Sequence, residues 1–294
     1  MRRFPLLAAC LLACAVLRAE SPAPPAEKKA ALTDYVRFES HEDGDSLETA
    51  VVSFTSPTKV VVDLVGAIHI ADKSYFDALN LRFRSYDAVL YELVGKPMDL
   101  RGKPGAEKED ASSLAWVGQL QAAMRDALDL HGQLEGIDYR AKNFIHADMS
   151  LPQFQKTREV KKESLLGLYF KLWQAQSEMQ SETGDDPDAA SLAMMLQLLM
   201  NKDNPVELKR AVAGQFDQVE RLMARMEAGD GTVIVGERNR VAFEVLDKQI
   251  AAGKKHLAIF YGAAHLQDME KRLLERGFQR GKTEWLRAWW LPYE

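Results

Sequence analysis

Two segments near opposite ends of the 294-residue chain repeat one another: Gly66-Ala67-Ile68-His69-Ile70-Ala71-Asp72 and Gly262-Ala263-Ala264-His265-Leu266-Gln267-Asp268. Gly, Ala, His, an aliphatic residue and Asp recur at matching places. Each copy follows an apolar run, Val60 to Val65 in the first and His256 to Tyr261 in the second, and each leads into helical periodicity. Runs bounded in this way read as buried strands, so both segments are strand-to-helix junctions. A chain with such junctions at both ends builds one sheet from both ends. That brings the two histidines to the carboxyl edge, where open α/β sheets bind their ligands. Glycine at the strand end lets the backbone turn sharply or approach a ligand closely, which makes Gly66 and Gly262 candidate substrate-binding positions. The repeated Asp72 and Asp268 read as helix caps.

The rest of the pattern agrees with an α/β protein. Tyr35 to Phe38 and Thr49 to Phe54 read as strands around a charged turn, His41 to Asp45. A helix is expected from Asp72, with Tyr75, Phe76, Leu79 and Phe83 on one face, and Asp87 to Leu93 supplies the next buried strand. Residues 95–109 read as a mobile loop rich in Gly, Pro, Lys and Glu. Helical periodicity follows over about 110–228, including segments near Phe154 to Met179 and Ala189 to Met200 with a break at Gly184-Asp185-Asp186-Pro187. Gly136-Ile137-Asp138 reads as a short strand returning to the sheet. The α/β pattern resumes with a helix from Arg238 to Ala252, the strand His256 to Tyr261, a helix from Asp268 to Arg276 and a closing strand at Trp285 to Leu291. The expected fold is therefore α/β, with a mixed or mostly parallel central sheet and a helical insertion. The Met and Leu stripes of the insertion fit core packing better than a lipid or peptide groove.

Residues 1–19 have the layout of a signal peptide: Arg2 and Arg3 precede the apolar run Phe4 to Leu17, which is short for a membrane-spanning helix. Leu11-Leu12-Ala13-Cys14 also fits a bacterial lipobox, in which cleavage before Cys14 leaves that residue to carry lipid. The two readings separate a periplasmic protein from one tethered to the envelope, and the lipid is the only membrane contact expected. Residues 20–31 form a Pro/Ala linker, and 32–294 the folded domain. Both cysteines, Cys10 and Cys14, lie in the leader, so no disulfide framework exists. A net charge of −5 argues against a nucleic-acid partner held through phosphates. A peptide or protein substrate is expected instead.

His69 and His265 at one edge support two chemistries: neutral imidazoles binding a divalent metal with a further carboxylate, or an acid–base pair. Glu92, at the end of the strand after the first junction, is the natural third ligand or general base. Arg238 opens the helix before the last junction and, on the sequence alone, reads as a surface arginine. His146-x-Asp148 is a second ligand pair or, preferably, the cap of the helix beginning after Ser150. His41, His131 and His256 carry no role. Gly-x-Ser-x-Gly, Walker, dinucleotide-glycine and His-Glu-x-x-His patterns do not occur.

Taken together, Gly66 to His69, Glu92, Arg238 and Gly262 to His265 resemble the marks of the TraB/PrgY/GumN family, which includes the TIKI-type metalloproteases. The resemblance spans roughly residues 31–294. It implies a fold related to erythromycin-esterase-like and ChaN-like proteins. For the TIKI branch it also implies metal-dependent peptide hydrolysis with Mn²⁺ or Co²⁺. Carried over position by position, His69, Glu92 and His265 are expected metal ligands, Glu92 and Arg238 catalytic groups, and Arg238 a substrate or transition-state clamp. The alternatives are a non-catalytic binder that sequesters a small peptide, as the pheromone-shutdown branch suggests, and haem binding through Tyr91 or Tyr261.

Overall fold

A computed structural model describes residues 35–98, 104–105, 122, 124–161, 205–214 and 232–293. In chain order the elements are β1 (Val36–Ser40), β2 (Gly44–Thr55), β3 (Val61–Ala67), β4 (Ile70–Ala71), α1 (Lys73–Phe83), β5 (Ala88–Tyr91), β6 (Lys96–Met98) and β7 (Pro104–Gly105). There follow β8 (His131–Gly132), α2 (Gln133–Gly136), β9 (Phe144–His146), α3 (Leu151–Val160) and α4 (Pro205–Ala213). A π-helical turn (Val233–Glu237) runs into α5 (Arg238–Ala251), and β10 (His256–Gly262), a 3₁₀ turn (Ala263–His265), α6 (Leu266–Glu275) and β11 (Gln279–Pro292) complete the fold.

The main sheet has seven strands in the order β1-β2-β3-β10-β5-β9, with β11 also paired to β2. Strands β3, β10, β5 and β9 are mutually parallel, whereas β1, β2, β3 and β11 join antiparallel. The architecture is thus mixed α/β with a parallel centre. All four residues of β5, and Leu257 to Tyr261 of β10, are buried. Strands that read as continuous apolar runs are covered on both faces. Strand β10, from the C-terminal part of the chain, separates β3 from β5, so the sheet is assembled from both ends of the chain as the paired junctions imply.

Helix α1 buries Tyr75, Phe76, Leu79 and Phe83, the four positions its periodicity selects. Four expectations need correction. Gly136-Ile137-Asp138 is not a strand: Gly136 ends α2, and a Cβ there would lie 2.6 Å from the Phe76 ring of α1. The strand that returns to the sheet is β9. Asp72 occupies the N-cap position of α1 without a side-chain cap bond; its Oδ2 accepts from the Trp290 amide of β11 at 2.7 Å. Asp268 lies inside α6, where it bonds Asn239 and Arg272. Within the stretch read as a loop, β6 and β7 pair antiparallel. The leader, the linker and residues 162–204, with the break at 184–187, lie outside the described residues. Among the described residues, no helix is long and apolar enough to cross a membrane.

Candidate functional site

Strand register explains how distant residues meet. Gly66 of β3 pairs with Tyr261 of β10, Phe260 with Tyr91 of β5, and Tyr91 with His146 of β9. The carboxyl ends of four parallel strands are therefore level. His69 lies just past β3, Gly262 closes β10, Glu92 follows β5 directly, and Asp148 lies two residues past β9. Arg238 reaches this edge from the start of α5. The π turn ahead of it, capped where Thr232 Oγ1 accepts from the Val235 amide at 3.1 Å, sets its entry. Single π turns inside helices recur at functional sites.

Arg238 is buried and bridges two carboxylates. Its Nε and Nη2 fork onto Asp148 at 2.9 and 2.6 Å, and Nη2 also donates to Glu92 Oε1 at 2.6 Å. Glu92 Oε2 accepts from the Gly262 amide at 2.7 Å. Burial opposes ionisation of Glu92, but the charge of Arg238, then those of His265 and His69, and the Gly262 amide hold it well below the usual carboxylate range. Burial likewise works against the Arg238 charge, and Glu92 and Asp148 outweigh it. The pair is therefore fully ionised at neutral pH. So weak a base is ill suited to proton abstraction, and its bonds to Arg238 and the Gly262 amide put Glu92 in an anchoring position.

The two histidines are not equivalent. His265 is 5% exposed; its Nδ1 lies in hydrogen-bond contact with Asn239 Oδ1 at 2.7 Å, and its Nε2 lies 3.6 Å from Glu92 Oε1 and 3.5 Å from Arg238 Nη1. Burial is the largest of the influences that pull its pKa down to about 4, so it is neutral near pH 7. His69 is exposed and lines a cavity of about 380 Å³ together with Glu92, Arg238 and Gln133. Its Nδ1 is bonded to Gln133 Oε1 at 2.9 Å, and Gln133 Nε2 donates to the Tyr139 hydroxyl at 2.9 Å. The Gln133 amide also donates to the His69 carbonyl at 2.8 Å, so side chain and backbone are fixed together.

The glycines differ as well. A Cβ on Gly262 would point between Glu92 Oε2 at 3.3 Å, His265 Cδ2 at 3.9 Å and His69 Nε2 at 4.0 Å, which locates the centre of the site. Gly66 does not serve the site: its Cβ would press on the Ala50 carbonyl at 3.2 Å, so it is a packing glycine within the sheet. Tyr261 is fully buried and its hydroxyl donates to the Ala147 carbonyl, while Tyr91 is not among the residues lining the cavity. Neither tyrosine is presented to a haem there.

The expected ligand set fits a metal only in part. The Nε2 atoms of His69 and His265 are suitable nitrogen donors with their Nδ1 atoms oriented by amide oxygens, as ligand histidines commonly are. Glu92 is not a suitable third, because both its oxygens are engaged and the Arg238 guanidinium lies beside His265 Nε2. Among the described residues, no group of three His, Cys, Asp or Glu side chains is arranged to hold a metal ion.

The sequence did not single out Asp148 as the partner of Arg238; the cap it was expected to form is made by Ser150, in a reciprocal box with Gln153. Gln133, Tyr139 and Asn239 carried no motif at all. Asn239, next to Arg238 on a helix start, is the one a helical projection toward His265 could have marked. Comparison with family models, with curated proteins and with solved structures returned no match.

Proposed function

We propose that the chain is an exported hydrolase of peptide bonds, built on a fold related to the erythromycin-esterase and ChaN-like proteins and similar to the TraB/PrgY/GumN family. One observation carries the reading: an oriented, cavity-facing imidazole, His69, beside the buried, ionised Glu92–Arg238 pair that Asp148 braces. His69 Nε2 takes a proton from water as the oxygen adds to the carbonyl carbon. Negative charge gathers on the carbonyl oxygen and is met by the Arg238 guanidinium, whose place is fixed by two carboxylates before the reaction starts. As the C–N bond breaks, His69 returns the proton to the departing nitrogen. Glu92 and Asp148 anchor Arg238, and buried neutral His265 packs behind them. The short cationic-then-apolar leader supports export, with Cys14 as the lipid attachment point if the lipobox is used.

A divalent ion such as Mn²⁺ or Co²⁺ would find nitrogen donors in His69 and His265 and would act as a Lewis acid. Since Glu92 does not complete the set, no step above runs through it. The decisive experiment is a peptide-library cleavage assay on purified protein, with and without chelator, alongside His69→Ala. Cleavage that His69→Ala lowers by at least about a hundredfold is the expected result for loss of the proton acceptor. Survival of that cleavage in chelator supports the metal-free route, and its loss restores the metal-dependent one. Peptide binding without cleavage by the intact protein sinks the hydrolase in favour of a sequestering binder.

A further inference from the structure

Asn239 is fully buried at the start of α5 and its side-chain orientation is not open to choice. Its Nδ2 donates to the His265 carbonyl at 3.0 Å and to Asp268 Oδ2 at 2.8 Å. A carbonyl oxygen and a carboxylate oxygen that already takes a bond from Arg272 only accept, so the amide cannot be reversed without facing acceptor with acceptor. Its Oδ1 must then accept from His265 Nδ1, 2.7 Å away. The proton is on Nδ1, and Nε2 is bare.

This is the less obvious tautomer. With the proton on Nε2, the ring would face Glu92 Oε1, only 3.6 Å away, with a donor instead of a lone pair. The arrangement that prevents it extends outward. Asp268 is held by Arg272 Nε at 2.6 Å, and Arg272 Nη2 donates at 3.1 Å to the carbonyl of Gly236, in the π turn that delivers Arg238. One chain of hydrogen bonds thus ties the ring of His265 to the segment that places the guanidinium.

We propose that Asn239, held by Asp268 and Arg272, is a positioning residue that fixes His265 as the Nδ1–H tautomer and keeps a bare nitrogen toward Glu92 and Arg238. The proposal rests on the hydrolase reading for its consequence, since the other tautomer sets an Nε2–H against the Glu92 oxygen that Arg238 uses. Competition for that oxygen loosens the guanidinium at the moment charge develops on the substrate. The tautomer itself is independent of any reaction.

The test is ¹⁵N–¹H long-range correlation NMR on the ¹⁵N-labelled protein, with the His265 ring assigned by its disappearance in His265→Gln. The wild type is expected to carry its proton on Nδ1. Asn239→Leu removes the acceptor opposite Nδ1 and should move the proton to Nε2. In peptide cleavage, Asn239→Leu is expected to lower kcat by at least about tenfold with KM nearly unchanged. Asn239→Leu strips a buried donor from two acceptors. Should it not fold, Asp268→Asn carries the test, because the new amide can donate to Asn239 Oδ1 and allow it to reverse, giving a mixture of tautomers. A wild-type proton on Nε2 overturns the proposal, as does an unchanged tautomer and kcat in a folded Asn239→Leu. The expected tautomers in a protein that cleaves no peptide support the clamp and overturn the hydrolase reading alone.

Discussion

Arg238 is one cation between two buried carboxylates, and its worth lies in what its removal leaves behind. Arg238→Met strands Glu92 and Asp148 in the interior, and breaking a buried ion pair from one side costs about 3–5 kcal/mol; chemical denaturation should show a loss of that size. Arg238→Lys keeps the charge but cannot fork onto Asp148 while reaching Glu92, so it should recover only part of the loss. Acid probes the same cluster through His265. The unfolded chain protonates this ring near pH 6.5, while burial in the fold holds the proton off until about pH 4. Between those values the unfolded state binds more protons, so stability rises with pH across the window and falls as acid is added. The full loss is on the order of 3 kcal/mol. Glu92, whose ordinary value is 4.5 and whose folded value is lower still, adds its own loss only below that pH. Denaturation midpoints from pH 7 to 5 should therefore decline in the wild type and flatten in His265→Gln; equal slopes would contradict the buried neutral ring. At this scale the sequence yielded His69, His265 and Gly262 through their repetition, and Glu92 through its strand end. Asp148, Gln133 and Asn239 escaped because each is a single polar residue whose partner is remote in sequence, 90 positions away for Asp148 and 64 for Gln133.

Elements were more legible than their ends. Helix α1 and strands β3, β5 and β10 follow from periodicity and apolar runs, since each buries what its pattern says it should. The caps did not follow, because a carboxylate at an N-cap position has competing partners. Asp72 turns away from the α1 amides to accept from Trp290 N, and Lys209 Nζ approaches its other oxygen at 3.4 Å. Ser150 performs the capping of α3, accepting from the Gln153 amide while Gln153 accepts from the Ser150 amide. The two positions should respond differently. Ser150→Ala removes a cap at an exposed helix start, costing about 1 kcal/mol. Asp72→Ala leaves the Trp290 amide without its acceptor and should cost about 1–3 kcal/mol. Thermal unfolding of both variants measures the contrast, and an Asp72→Ala effect no larger than that of Ser150→Ala would argue against the cross-link to β11.

The whole sheet could not be ordered from the sequence, because strand order depends on pairings between segments about 170–250 residues apart. β10 enters between β3 and β5, and β11 runs beside β2 for most of its length. The consequence for the site is that the last strand supports the first junction. Trp289 Nε1 donates to the Ile70 carbonyl at 2.7 Å, the Asp72 amide donates to the Ala288 carbonyl at 2.9 Å, and Trp290 N donates to Asp72. These bonds bracket the segment immediately after His69. Trp289 is fully buried, so Trp289→Phe keeps most of the apolar contact while leaving the Ile70 carbonyl without its indole donor. The expected loss of stability is about 1–3 kcal/mol. Its effect should also reach the site: the His69 loop gains freedom while the Arg238 cluster, held from β5, β9 and α5, keeps its own bonds. Hydrogen exchange should therefore rise at Ile70 and Ala71 in the variant beyond the increase at Gly262, whose amide is bonded to Glu92. A uniform rise at both places would mean that the C-terminal strand stabilises the fold as a whole without specifically holding the first histidine.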